Sequence, residues 1–82
     1  MIPRIKSIET FEDFFIKAVF DDGVSVLYDL KDDINSIEDF RVLLTEKGLF
    51  RNARLDSSRT CVFWSDRVDL ASDSIREYGV RC

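Results

Sequence analysis

From Phe14 to Phe20 the even positions Phe14, Ile16, Ala18 and Phe20 are apolar while Lys17 stands opposite them, and over 24–28 the apolar set is Val24, Val26 and Tyr28. A period of two marks a strand with one buried face, so two strands are predicted. Between them lies Asp21-Asp22-Gly23, residue types that tolerate the positive φ of a tight hairpin turn. Residues 5–10 give a weaker first strand, because Ile5 and Ile8 do not share a face under strict alternation.

The period then changes. Ile37, Phe40, Leu43 and Leu44 fall on one helical stripe, with Ser36 in position to cap it and Glu38 and Asp39 in the first turn, where the helix dipole favours acids. Lys47 belongs in the last turn and Gly48 just past the end, which predicts a helix of about ten to twelve residues. Segments 52–56 and 60–65 flank Ser57-Ser58-Arg59 as a second hairpin, and a turn at Ser65-Asp66-Arg67 lets 68–70 return as a further strand. Ser72 to Gly79 reads as a short terminal helix, capped by Ser72 and carrying Ile75 and Tyr78 on one face.

Strands before and after one central helix, joined by hairpins without a βαβ rhythm, predict an α+β fold. The expected form is an antiparallel sheet of about five or six short strands, one central helix packed on it and a short C-terminal helix. One proline, no Gly/Ser linker and no repeat make residues 1–82 a single compact domain. A single helix covers one side of such a sheet, so the other face, or an edge, is expected to hold a protein partner or a second copy.

The chain is 45% hydrophobic, above the composition that leaves a chain disordered. Histidine is absent, which excludes a Ser/His/Asp triad, a Cys/His dyad and any imidazole zinc site. Three glycines cannot assemble a phosphate-cradling loop or a dinucleotide fingerprint, so no cofactor is expected. A net charge of −4 opposes wholesale phosphate neutralisation and disfavours nucleic acid as a partner. Six of the eight arginines nevertheless lie in the second half, where a local basic face or an ordinary mixed-sign surface would both fit.

Cys61 sits in an apolar run and packs as a small hydrophobe, whereas Cys82 is terminal; this usage suits a reducing compartment. Residues 1–6 lack the apolar region of a secretory signal and no uncharged stretch exceeds six residues, so a soluble cytoplasmic chain without membrane contact is expected.

Two carboxylate groups are the candidate chemistry: Asp29, Asp32 and Asp33 after the third strand, and Asp66 and Asp69 around the last turn. Both fall where Asp bonds its own backbone, and neither has the alternation and central glycine of a calcium loop, so no catalytic or metal residue is assigned. Trp64 closes a strand beside Ser65-Asp66-Arg67; core packing ranks first for it, a protein interface next and base stacking last. Arg51, Arg54, Arg59 and Arg67 bracket the second hairpin, but Arg51 and Arg54 point to opposite faces of a regular strand, which weakens a guanidinium row for DNA. Arg59, Trp64 and Arg67 are the predicted contact residues of a non-enzymatic interaction module.

The opening Ile2-Pro3-Arg4-Ile5-Lys6-Ser7, the hairpin Phe20-Asp21-Asp22-Gly23 followed by Tyr28-Asp29-Leu30, and the stretch from Leu55 through Trp64 and Asp69-Leu70 to Glu77-Tyr78-Gly79 resemble small bacterial proteins of the domain of unknown function 2442 family. The likeness spans nearly the whole chain and rests on the order of the motifs. It implies a small α+β domain, of the kind that in some relatives precedes a helix-turn-helix, and hence a regulatory module. A toxin-antitoxin-associated or nucleic-acid-binding regulator is the implied alternative. The chain given stops at Cys82 with no helix-turn-helix, and it has Ala71 and Arg76 where the family often has proline and tyrosine. The family has no established activity and supplies no catalytic residues.

Overall fold

The computed structural model describes residues 2–46 and 48–82. Strands β1 (Ile5–Phe11), β2 (Phe15–Phe20) and β3 (Ser25–Asp29) form an antiparallel meander. Helix α1 (Lys31–Ser36), helix α2 (Val42–Thr45) and a short strand β4 (Arg54–Leu55) follow. Strands β5 (Cys61–Ser65) and β6 (Val68–Ala71) lead to helix α3 (Ser72–Tyr78) and a final strand β7 (Val80–Arg81). The α+β class holds, with the short C-terminal helix in place. The strands divide, however, between two antiparallel sheets, β1-β2-β3-β7 and β4-β5-β6, in place of one platform.

In β2 and β3 the even residues Ile16, Ala18, Phe20, Val26 and Tyr28 are buried, as period-two reading requires. The turn between them has Gly23 at φ 87°, and the Asp22 carboxylate accepts the Val24 amide hydrogen at 3.2 Å. In β1 the register shifts between Ile5 and Ser7, so Ile5 pairs with Phe20 and Ile8 with Ala18, both inward-facing partners. This bulge resolves the phase conflict of the two isoleucines, since one extra residue resets the alternation.

The predicted central helix is broken. The Asp29 side chain accepts the Lys31 amide hydrogen at 2.9 Å, and with Asp32 and Asp33 in the first turn it starts α1 in a stretch expected to be loop. Ser36 therefore ends one helix and does not cap the next; Ile37 is extended at φ −110°, a 3₁₀ turn covers Glu38–Arg41 and α2 adds one turn. The break rotates the stripe: Phe40 and Leu43 are buried, whereas Ile37 and Leu44 are exposed. Gly48, expected just past the helix end, has φ 84° and lies three residues beyond Thr45, the last residue of α2. Lys47, expected in the last turn, lies outside the described residues.

Segment 52–56 is strand only at Arg54–Leu55, and Phe50–Asn52 forms a 3₁₀ turn. Asp56 organises the following hairpin by accepting the Thr60 and Cys61 amide hydrogens at 3.1 and 3.2 Å. Ser72 is not a cap: Ala71 holds that position, and the Ser72 hydroxyl, fully buried, donates to the Pro3 carbonyl at 2.6 Å, tying the start of the chain to α3. The core lies between the inner faces of the two sheets, with Val62, Trp64, Val68 and Leu70 from the smaller sheet, and Ile34 and Ile75 from α1 and α3.

Candidate functional site

Trp64 is a core residue, which corrects its reading as a contact residue. It is 7% exposed, its indole N–H donates to the Phe50 carbonyl at 2.9 Å, and its ring stacks on Phe50 at 5.9 Å and meets Phe40 edge-on at 6.5 Å. Burial of a tryptophan requires a partner for its one donor, and the 3₁₀ turn at Phe50 supplies it. Arg59 is half-buried and sits in the β4–β5 turn at φ 61°. Its guanidinium clamps Asp21 with two hydrogen bonds of 2.7 and 2.9 Å, so it joins the hairpin of one sheet to that of the other and is not held out for a partner. Arg76 grips Asp22 in the same way at 3.1 and 2.8 Å while lying over the Phe20 ring. Arg67 is exposed and lines a depression of about 420 Å³ between Tyr28, Phe40 and Tyr78. The three predicted contact residues are therefore scattered: one in the core, one in an ion pair, one on the surface.

Asp33 and Asp69, one acid from each predicted group, line the same depression as Arg67. Asp33 accepts the Tyr28 hydroxyl hydrogen at 2.5 Å. Burial first, and then that carboxylate, push the Tyr28 phenol well above its ordinary range, so Tyr28 is a held donor at neutral pH. Among the described residues no group of three or more His, Cys, Asp or Glu side chains is placed to hold a metal ion. Cys61 and Cys82 are both free; burial raises the Cys61 thiol above its ordinary value.

The feature that sequence reading left unlocated is the outer face of the larger sheet. The pairs Phe11↔Phe15 and Leu27↔Val80 put two apolar pairs on this face, diagonal to each other, because Phe15 faces Asp29 and Leu27 faces Lys17; Val19 is on the same side. None of these side chains is buried, and Phe11 is 42% and Val80 71% exposed. The Lys31 ammonium lies 4.1 Å from the Phe15 ring centroid. The signal was present in β2, where Phe15 and Val19 flank Lys17 on the face that alternation assigns to water.

Beside this face a groove of about 630 Å³ runs between the β1–β2 bend and the chain around α2. Phe14, Leu43 and Phe50 line it, together with the exposed side chains of Phe11 and Leu44. The bend is a 3₁₀ turn over Glu12–Phe14 in which Asp13 and Phe14 both have φ 64°, a left-handed conformation that a bulky aromatic rarely adopts. It is held by the Leu30 N–H donating to the Phe14 carbonyl and the Lys31 ammonium donating to the Asp13 carbonyl, both at 3.0 Å, and by the Phe14 ring against Phe50 at 5.2 Å. No such loop could be read from the sequence, which carries Phe-Glu-Asp-Phe there and no glycine.

No family model, no curated protein and no solved structure matches the chain, so the resemblance stated above rests on its own residues alone. Among the described residues no helix is long and apolar enough to cross a membrane.

Proposed function

We propose that the chain is a non-enzymatic interaction module that binds another protein through the outer face of β1-β2-β3-β7. The observation that carries this reading is the apolar set Phe11, Phe15, Val19, Leu27 and Val80, grouped around Lys17 on a face where no side chain is buried. Such a set departs from the polar-out alternation common on an antiparallel sheet face that meets only water. Two free cysteines suit a reducing compartment as its setting.

Magnitude favours a different protein over a second copy. A face of this width and length offers roughly 300 Å² by strand spacing and rise, well under the ~800 Å² per partner of a standard interface. A face-to-face dimer would be weak, whereas a partner that also reaches the neighbouring groove gains the missing area. The nucleic-acid reading draws less support: Arg59 and Arg76 are engaged by Asp21 and Asp22, and Arg51 and Arg67 line different depressions.

The test compares the wild-type chain with Leu27→Lys, both tagged, as baits in an extract of the native host, alongside sedimentation of the purified proteins. A protein retained in stoichiometric amount by the wild type and lost by the variant is the expected result. Equal retention by both baits, or a monomer that retains nothing, would overturn the reading.

A further inference from the structure

Resting on that interaction reading, we infer that the groove beside the sheet face takes an amphipathic helix of the partner, with bulky apolar side chains flanked on both sides by lysine or arginine. The apolar part follows from the walls. Phe14, Leu43 and Phe50 line the groove, and Phe11 and Leu44 stand beside them 42% and 56% exposed. A space of about 630 Å³ is in the range of sites that bury large side chains.

The charge follows from the banks. Glu12 and Asp13 stand on the side of the β1–β2 bend, where Lys31 bonds the Asp13 carbonyl from outside the lining, and Glu46 stands on the side of α2 with Arg51; all three acids are exposed, and they outnumber Arg51, the one cation among the described lining residues. No ion pair engages Glu12, Asp13 or Glu46 among the described residues. An apolar channel with carboxylates on both banks is complementary to a helix whose apolar stripe is bordered on both sides by cations. An extended strand turns alternate side chains away and cannot place a charge on each side of one apolar row. The bend that forms one bank is fixed in advance by Leu30, Lys31 and the Phe14–Phe50 contact, so that wall is already in place before a partner arrives.

The experiment uses two labelled, designed helical peptides with the same leucine and phenylalanine stripe, one flanked by lysine and one by glutamate, titrated with the full chain by fluorescence anisotropy. The lysine peptide should bind about tenfold or more tightly than the glutamate peptide, and its affinity should fall as salt rises. The double variant Glu12→Gln/Glu46→Gln should shrink that preference about threefold or more, and Leu44→Asp, at an exposed site, should abolish binding while circular dichroism shows the fold retained. Equal binding of both peptides, binding of neither, or a preference that survives the double variant would overturn the inference. Those outcomes leave the sheet-face reading standing if the Leu27→Lys bait still loses its partner, so the two failures are distinguishable.

Discussion

Trp64 joins a large apolar body to one polar hydrogen, and the molecule satisfies both internally, through Phe40, Phe50 and the Phe50 carbonyl. The run Cys61-Val62-Phe63-Trp64 made core packing the first reading, but the partner of the indole lies in a 3₁₀ turn whose position no periodicity marks. Replacing it should be severe: Trp64→Ala is expected to cost about 3–5 kcal/mol in chemical denaturation, whereas Arg67→Ala should leave the midpoint unchanged. A second residue-scale expectation concerns acid. Hydrogen bonds from Arg76 and then from the Val24 amide hold the Asp22 carboxyl below its ordinary 3.8, at about 2. A carboxylate depressed by folding stabilises the fold above its unfolded value and loses that contribution as pH falls toward the folded one. Urea midpoints of the wild type should therefore drop between about pH 4 and 2 more steeply than those of Asp22→Asn, and parallel curves would contradict the assignment.

At the scale of elements, legibility followed the strength of local physics. The β2–β3 hairpin was plain because alternation, Asp22 and Gly23 all point one way. The helix over the Ile37 stripe was not, since a stripe of four apolar residues does not show that Ile37 turns extended and that Asp29 begins a separate helix upstream. Strand β7 was missed because two residues carry no period; only the chain's return along β3 creates it. That return needs Gly79 for closeness, with an ordinary φ of −78°: a methyl group there would run into the Val26 side chain and the Ile75 carbonyl. Gly79→Ala should thus destabilise by roughly 1–3 kcal/mol, seen as a Tm lowered by about 5 °C or more. An unchanged Tm would show that α3 and β7 can part from β3 at no cost.

For the whole molecule, dividing the strands between two sheets changes which surface is available. The inner faces of both close on each other, which places Trp64 inside and removes one predicted contact residue, while the four-stranded sheet keeps an uncovered outer side. An open face was expected because one helix cannot roof a single sheet, but the structure leaves one open by another route, since the smaller sheet rather than a helix takes the larger share of the inner side. Which residues it carries was not legible, because Phe11 meets Phe15 only through the tight Glu12–Phe14 bend, which no periodicity marks, and Leu27 meets Val80 only through the return of β7 from a distant part of the chain. The claim that this face meets another protein is tested most directly by a photo-reactive amino acid placed at Leu27 in the living host, with Asp66, exposed in the β5–β6 turn, as the control position. The account predicts one discrete crosslinked protein from position 27, suppressed by Phe15→Lys, and none from position 66. No adduct at 27, or the same adducts from both positions, would contradict it.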